Sequence, residues 1–346
     1  MKKTLSRALA VLLCVLMLAT TLIFTSAASY NDVKKGDWYE DFVGYMSKKD
    51  IINGYTDNTF RPNDFVKRCE FIKMMVEAFG LTTEADIDFE DVNSNDWYYT
   101  YYRKAAAQGF LGKIFKGTKM EPQKYLTREE AAGLLMAYLN YSKNAKASES
   151  TFADFNTISA EYKDYVLQAA KAGIINGFEK DGVYNFRPTE TLRRAQAAKI
   201  LSVSAGTIAD KDMYDELEFD GSDNLTVTAA VTLTNIYIPG NVIISEGITN
   251  GTVKFVNCTI GGNIYDRSTA NVEFKNNGDV VVPDDTESSA PDTESSAPDT
   301  ESSAPDTESS APDTESSAPD TESSAPDTES SGPETEDNDG WIGVTP

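Results

Sequence analysis

Three segments of this chain repeat one pattern, and this repetition constrains the fold more than any other feature. Each segment begins with an aromatic-x-Asp sequence, continues into a helical pattern, passes through a loop and a proline, and enters a second helical pattern. The segments begin at Tyr30, Phe89 and Phe152. One helix–loop–helix unit has too little apolar surface to fold alone, so the three units are expected to share one core.

The second half of each repeat carries the spacing of a helix. Apolar residues recur there at intervals of three and four, which is typical of one buried helix face. Thr127 and Glu130 have the spacing of a capping box, which predicts a helix that begins at Arg128. Alignment places Arg68 and Arg194 at the same point of the other two helices. The apolar positions are Cys69, Ile72, Val76 and Phe79 in the first repeat and Ala131, Leu134, Leu135 and Tyr138 in the second.

The regions outside the repeats have different residue patterns. After about Asp210, short β-type runs broken by Gly and Asn predict a small all-β unit, with Val242, Ile244, Val253, Phe255 and Val272 facing inward. From Asp285 the heptapeptide DTESSAP recurs, which predicts an extended, disordered acidic spacer. The basic, apolar and small residues of positions 1–28 are typical of a cleavable secretory signal, with a retained membrane anchor as the rival interpretation.

The predicted organisation is therefore multidomain. It comprises a signal peptide (1–28), three helical repeats (29–86, 87–148 and 149–208), a small β unit (209–283) and a disordered repeat tail (284–346).

Composition narrows the function classes. The chain contains 0 histidines, which excludes Ser-His-Asp and Cys-His catalysis and the commonest zinc sites. Beyond the signal only Cys69 and Cys258 remain, so a disulfide framework is not expected. The net charge of -24 resides largely in the tail, which has acidic residues but no lysine or arginine. We expect no metal, cofactor or nucleic-acid partner, and no enzymatic activity.

The three repeated arginines are the sharpest chemical signal. A helix N-terminus is electropositive, so a cation in its first turn costs about 0.3 to 1 kcal/mol. That cost is offset if free helix amides and the guanidinium converge on a bound anion. The alternative is that each arginine forms a salt bridge with the aspartate that opens a repeat, namely Asp32, Asp91 or Asp154. The residues alone leave both alternatives open.

Other candidates lie near these arginines. Gly54 and Gly177 follow Ile-Ile-Asn and allow tight turns that expose backbone amides. Trp38 and Trp97 offer flat apolar faces on which sugars stack, although ordinary core packing is the alternative.

These motifs closely resemble the S-layer homology module. The resemblance covers about residues 30–204 and rests on aromatic-x-Asp-Val, Asp-Trp, Ile-Ile-Asn-Gly-Tyr-x-Asp-x-x-Phe-Arg-Pro and a Thr-Arg-Ala-Glu-like tetrad. It implies an all-α pseudo-trimer of three modules whose inter-module grooves bind an anionic secondary cell-wall polysaccharide, often with pyruvylated sugars. It also implies a secreted protein held non-covalently at the cell wall. The ligand-binding residues that it implies are Arg68, Arg128, Arg194, Trp38, Trp97, Gly54, Gly177, Asp32, Asp91 and Asp154.

The chain departs from the pattern in two repeats. The tryptophan position holds Glu161 in the third repeat, and the second repeat has Met120-Glu121-Pro122 in place of Phe-Arg-Pro. Sites that draw on the first and third repeats are therefore expected to be better formed. The β unit looks like a small β-solenoid appendage. Two alternative functions are a wall-attached polysaccharide-degrading enzyme, with Glu246 and Asp266 as its carboxylates, and a structural S-layer subunit.

Overall fold

In the computed structural model, which describes residues 30–140 and 152–276, each repeat contributes one long helix that begins at its arginine. These helices are α2 (Arg68–Ala78), α5 (Arg128–Leu139) and α7 (Arg194–Ala205). The apolar positions predicted from their spacing are buried in the core, which confirms the periodicity. The capping box at the start of α5 is also confirmed, since Thr127 N–H donates to the Glu130 carboxylate over 3.1 Å and Glu130 N–H donates to the Thr127 hydroxyl over 3.4 Å.

Shorter helices complete the helical region. They are α1 (Glu40–Lys48), α3 (Tyr99–Ala107), α4 (Leu111–Ile114) and α6 (Lys163–Lys171), and a short hairpin of β1 (Phe178–Lys180) and β2 (Val183–Asn185) lies in the third repeat. Among the described residues the helical region thus has seven α-helices. Helix α3 packs against α2, α6 against α5, and α1 against α7, so each first helix contacts the long helix of another repeat.

The segments that lead into the long helices are hydrogen-bonded to one another in a closed ring. Val66 N–H donates to the Leu192 carbonyl, Leu192 N–H to the Leu126 carbonyl and Leu126 N–H to the Val66 carbonyl, over 2.9, 2.8 and 2.9 Å. All three side chains are fully buried. Each repeat therefore supplies one donor and one acceptor, and their hydrogen-bond partners lie in the other two repeats.

The same neighbours cap the helix N-termini. The backbone N–H of Arg68, Arg128 and Arg194 donates to a carbonyl of the next repeat over 2.9 to 3.0 Å, and the following amide donates to the carbonyl of Pro122, Pro188 or Pro62 over 3.0 Å. The prediction that these helix amides are free to hold an anion is therefore wrong. Their orphan donors, which any helix start must satisfy, are bonded within the protein.

The β unit is a parallel β-solenoid of about four turns. Its two four-stranded sheets and one short third side are built from β3 (Thr207–Ala209), β4 (Met213–Tyr214), β5 (Leu225–Val227), β6 (Thr232–Thr234), β7 (Tyr237–Ile238), β8 (Val242–Ile244), β9 (Thr252–Val256), β10 (Thr259–Ile260), β11 (Ile264–Asp266) and β12 (Asn271–Lys275). The inward residues predicted above are buried, with Val272 of the last rung half-buried.

A stack of side-chain amides fixes one corner of the solenoid. Asn235 donates to Asp215 over 3.1 Å and Asn257 donates to Asn235 over 2.8 Å, all three in the left-handed backbone region that Asn and Asp tolerate. This register explains why the β-type runs alternate with Asn-containing turns. Cys69 and Cys258 are buried, and the two do not form a disulfide with each other.

Solenoid side chains cap the C-terminal ends of the long helices. Ser245 Oγ donates to the carbonyls of Phe79 and Gly80 after α2, Arg267 donates to those of Tyr138 and Leu139 in α5, and Thr226 Oγ1 donates to that of Ala205 in α7. The aromatic ring of Phe219 also stacks on Tyr45 with centroids 4.3 Å apart. The last carbonyls of a helix lack intrahelical donors, so the solenoid satisfies groups that would otherwise be orphaned.

The predicted boundary at 208/209 is therefore crossed by many contacts. The remaining boundaries stay predictions: the signal peptide, residues 277–283 of the β unit, the end of the second repeat and the DTESSAP tail lie outside the described residues.

We expect Arg267→Ala to lower the free energy of unfolding by about 1 to 3 kcal/mol, because two buried helix-end carbonyls lose their charged donor. Urea denaturation followed by far-UV circular dichroism measures this. Lys275→Ala, which removes an exposed cation from the last strand, is the matched control and should change stability by less than about 0.5 kcal/mol. Equal effects of the two substitutions would contradict the capping role.

Candidate functional site at the repeat interfaces

The three predicted arginines lie at equivalent interfaces between repeats, and each is nearly or fully buried. Arg194 of α7 donates from Nε to the Phe60 carbonyl over 2.9 Å and from Nη2 to the Asn53 carbonyl over 3.0 Å. We call this the 3–1 interface, because a third-repeat arginine contacts the first-repeat loop. Arg128 of α5 repeats the arrangement in the 2–3 interface, with bonds of 2.9 and 3.0 Å to the carbonyls of Phe186 and Asn176.

The third interface, 1–2, has different chemistry. Arg68 donates to the Met120 carbonyl over 2.8 Å, but its remaining partners are carboxylates, Glu130 at 2.5 Å and Glu121 at 3.0 Å. Burial opposes the charge, yet these glutamates raise the pKa of Arg68 above its usual value. In the 2–3 interface, burial lowers the pKa of Arg128 to about 10, which leaves it charged at neutral pH.

The three predicted aspartates hold the loops that face these arginines. Asp32 accepts the backbone N–H groups of Phe60 and Arg61, both over 2.7 Å. Asp91 and Asp154 do the same for the residue pairs 120–121 and 186–187, over 2.7 to 2.8 Å. Arg68 and Arg194 do not form the predicted salt bridges with aspartates; they join the repeats through carbonyls and glutamates instead.

Each aspartate stabilises one strained residue. Arg61, Glu121 and Arg187 have φ values of 57°, 49° and 58°, a left-handed conformation that is unusual for such residues, and each precedes a proline. Backbone strain of this kind persists only where the surroundings fix it, and two hydrogen bonds to one carboxylate supply that constraint. The aspartates thereby fix the backbone position from which these three side chains project.

Stacking brings a second arginine into two of the interfaces. Arg61 lies 3.9 Å from the centroid of the Tyr55 ring, and Arg194 lies 5.0 Å from the same centroid. In the 2–3 interface Arg187 and Arg128 lie 4.2 and 4.6 Å from the Phe178 ring. In the 1–2 interface Arg68 lies 4.6 Å from Phe115, and the position of the second arginine holds Glu121.

The predicted glycines are required for close packing. A Cβ at Gly54 would lie 2.1 Å from the Tyr30 ring and 2.6 Å from the Thr59 carbonyl oxygen. A Cβ at Gly177 would meet the Phe152 ring at 2.7 Å and the Asn185 carbonyl oxygen at 2.9 Å. Gly54 N–H already donates to the Tyr30 hydroxyl over 3.0 Å. These glycines therefore make room for the aromatic residues that open the first and third repeats.

The two predicted tryptophans differ in exposure. Trp97 is 57% exposed and lies edge-on to Tyr98. Trp38 is half-buried, and Lys199 Nζ of α7 lies 6.0 Å from its ring centroid. Burial lowers the pKa of Lys199 to about 8. The 3–1 interface thus combines two arginines, a lysine and a tryptophan.

Reasoning from the sequence missed Arg61, Arg187, Tyr55, Phe178 and Lys199. The Phe-Arg-Pro repeat at 60–62 and 186–188 was the available signal for the two arginines. The remaining three carry no spacing that distinguishes them from core or surface residues.

The carboxylates proposed for an enzyme have structural partners. Glu246 accepts the backbone N–H groups of Thr82 and Thr83 over 2.5 and 3.0 Å, and also the Thr83 hydroxyl. Asp266 accepts from the backbone and hydroxyl of Ser268 over 2.9 and 2.7 Å. Both carboxylates therefore stabilise turns or contacts between segments.

Comparison with known proteins agrees with this architecture. The model of the S-layer homology domain matches residues 29–72 and 151–198. The chain is 30% identical over 207 residues to the surface-layer 125 kDa protein of Lysinibacillus sphaericus, which covers 59% of this chain and 17% of that protein. It is 33% identical over 183 residues to the exoglucanase XynX of Acetivibrio thermocellus, covering 52% and 16%.

Two more distant matches are an S-layer protein and a solved structure. S-layer protein EA1 of Bacillus anthracis is 23% identical over 269 residues, covering 73% of this chain and 30% of that protein. The undecaheme cytochrome from the S-layer of Carboxydothermus ferrireducens covers 41% of this chain and 17% of that chain at 14% identity, with a TM-score of 0.28, which is too low to support a fold argument.

The family model and these relatives thus support a cell-surface protein with S-layer homology domains at residues 29–72 and 151–198. Such domains anchor proteins to the cell wall, and they indicate a secreted protein. The chain spans 17% and 16% of the length of the first two relatives. Within residues 30–140 and 152–276, no helix is both long and apolar enough to cross a bilayer.

The depressed pKa of Lys199 makes a prediction for stability. Between about pH 8 and the ordinary lysine value of 10.5, Lys199 is neutral in the folded protein and protonated in the unfolded chain. At this site the unfolded state then binds more protons, so the Lys199 contribution to stability rises with pH in this window. Lys199→Met should remove that rise, as measured by urea midpoints from pH 7.5 to 10.5. Lys254→Met on the solenoid is the control; identical pH profiles for wild type and Lys199→Met would contradict the assignment.

Proposed function

We propose that this chain anchors a secreted protein non-covalently to the bacterial cell wall by binding an anionic secondary wall polysaccharide, a class that includes pyruvylated glycans. The observation that carries the proposal is the pair of arginine–aromatic–arginine stacks at the 3–1 and 2–3 interfaces. A carboxylate or ketal acid matches the donor geometry of a guanidinium, and aromatic faces suit the apolar face of a sugar ring.

The outer arginines are the groups available to a ligand. Arg61 is 44% exposed and its ion pair with Asp57, at 3.0 Å, is equally open to solvent. Arg187 is 32% exposed and forms an ion pair with the exposed Glu190 over 3.5 Å. Exposed ion pairs of this kind contribute about 0 to 1 kcal/mol, so an anionic ligand can replace the surface carboxylate at little cost.

Among the three interfaces, 3–1 is the strongest candidate for anion binding. It alone has two arginines, Lys199 and Trp38 together, and a nearby anion would offset the burial that lowers the pKa of Lys199. The 2–3 interface keeps both arginines but has Glu161 and Gly133 where 3–1 has Trp38 and Lys199. We assign the anion to these two interfaces, with Trp38 as the stacking surface in the first.

The inner arginines have a second role in this proposal. Arg194 and Arg128 hold the loops of the next repeat through two carbonyls each, so they position the binding surface as well as lend it charge. Replacement of these buried arginines by alanine would disturb the repeat contacts. Loss of wall binding in such a variant would not separate recognition from folding.

The decisive test therefore uses the outer arginines. The double variant Arg61→Gln/Arg187→Gln should lose at least about tenfold in affinity for purified wall sacculi, because two guanidinium–anion contacts are removed. Co-sedimentation measures the bound fraction, and wild-type binding should fall with added salt and on chemical removal of the secondary polymer.

Arg103→Gln, which removes a surface ion pair with Glu84 and none of the arginine–aromatic stacks, is the matched control and should bind like the wild type. Undiminished binding of the double variant, or equal binding of the wild type to stripped and intact sacculi, would refute the proposal. Ordered sheets formed by the purified chain would instead favour a structural S-layer subunit, an alternative motivated by the relatives named as S-layer proteins.

A further inference from the structure

We infer that the 1–2 interface binds an uncharged pyranose rather than an anionic sugar, so that one chain offers two kinds of sugar site. This inference rests on the proposed function and refines it. Its basis is the set of partners around Arg68. They are mainly carboxylates, whereas Arg128 and Arg194, at equivalent helix positions, donate to backbone carbonyls.

Carboxylates neutralise the 1–2 interface from inside and outside. The Glu130 side chain is 9% exposed and lies 2.5 Å from Arg68, so this pair is held in a water-poor environment. Glu121 is 56% exposed and lies 3.0 Å from the same guanidinium. The pKa of Glu121 is lowered by Lys124 and by Arg68, so it is ionised at neutral pH. An incoming anion would meet a carboxylate where the other interfaces present Arg61 or Arg187.

Burial prevents Arg68 from turning towards a ligand. Its guanidinium donates to Glu130, Glu121 and the Met120 carbonyl and lies over the Phe115 ring. Breaking a buried ion pair is strongly destabilising, because it leaves an uncompensated charge in the protein interior. A bound anion would have to offset that cost at 1–2, whereas at 3–1 it competes only with an exposed pair.

The same interface carries the features that neutral sugars require. Trp97 is 57% exposed, which leaves a flat apolar face available to a sugar ring. It lies edge-on to Tyr98 with centroids 5.3 Å apart, and the side-chain amide of Gln123, two residues after Glu121, accepts a hydrogen bond from Lys67 over 2.9 Å. Carboxylates and amides accept and donate hydrogen bonds to sugar hydroxyls without needing an ionic partner.

Trp97 therefore belongs to a site of different specificity from Trp38. Trp38 is accompanied by Lys199 of the helix that starts at Arg194. Trp97 packs edge-on against Tyr101, and Lys73 Nζ lies 6.0 Å from the centroid of the Tyr101 ring. In this interface the stacking surface is retained, but Glu121 stands where the other two interfaces carry an outer arginine.

Two matched probes test this inference on the secreted chain. One is a methyl N-acetylglucosaminide, which is neutral, and the other is its 4,6-pyruvate ketal, which is anionic. The indole N–H signals of a nitrogen-15-labelled sample report each tryptophan separately, with assignments from Trp97→Phe and Trp38→Phe. We expect the neutral probe to shift the Trp97 signal saturably and the ketal to shift the Trp38 signal.

Substitutions then test the cause. Glu121→Arg installs the residue type found at the other two interfaces, and it should make the Trp97 signal respond to the ketal with at least about a tenfold gain in affinity. Trp97→Ala should lower affinity for the neutral probe by about tenfold or more and leave ketal binding unchanged. Tyr237→Ala, an exposed aromatic on the solenoid, should change neither.

Each combination of signal changes supports or overturns the neutral site, the proposed anion recognition, or both. A ketal that shifts Trp38 while the neutral probe leaves Trp97 unmoved overturns the inference and supports the proposed function. A wild-type Trp97 signal that responds to the ketal as strongly as Trp38 also overturns it. A neutral probe that shifts Trp97 with no ketal response at Trp38 supports the neutral site and refutes the proposed anion recognition. Silence of both signals towards both probes refutes both.

Discussion

The closed ring of backbone hydrogen bonds among Val66, Leu126 and Leu192 is the constraint on which the rest of the helical region depends. Each bond needs a donor from one repeat and an acceptor from the next, so the ring exists only when all three are docked. The first amides of the long helices then find their acceptors in the same neighbouring loops. Because unsatisfied buried amides cost about 1 to 3 kcal/mol each, a single repeat is unstable at its own helix starts.

This geometry explains why an arginine is tolerated at the electropositive end of a helix. The guanidinium projects past its own helix to carbonyls of the adjacent loop, and those carbonyls are the acceptors that offset the unfavourable dipole. The sequence argument identified the cost and left two sources of compensation open, a bound anion or an aspartate of a repeat. The protein supplies most of it internally, which fixes the arginine and leaves the variable outer residue to set local charge.

The sequence was sufficient for the parts of the fold that depend on periodicity. Helix starts at Arg68, Arg128 and Arg194, the buried faces of these helices and the inward residues of the β runs all follow from spacing and local capping. The docking of the solenoid did not follow, because Ser245 and Arg267 act on carbonyls more than a hundred residues away in sequence. The aspartates were noticed as a motif, but their role requires knowing that Arg61, Glu121 and Arg187 have positive φ, and tertiary constraint rather than propensity determines that.

The position of the solenoid gives the helical region two chemically different ends. The N-terminal ends of α2, α5 and α7 carry the arginine interfaces, and their C-terminal ends are occupied by the side chains of Thr226, Ser245 and Arg267. The described chain leaves from the last rung of that solenoid, at Asn276. A ligand held at the interfaces is therefore separated from these solenoid contacts by the length of the long helices. With a rise of about 1.5 Å per residue, α5 and α7 each interpose roughly 18 Å between the two ends. This separation lets the interfaces diverge in charge, one outer residue at a time, without disturbing the contacts between the long helices and the solenoid.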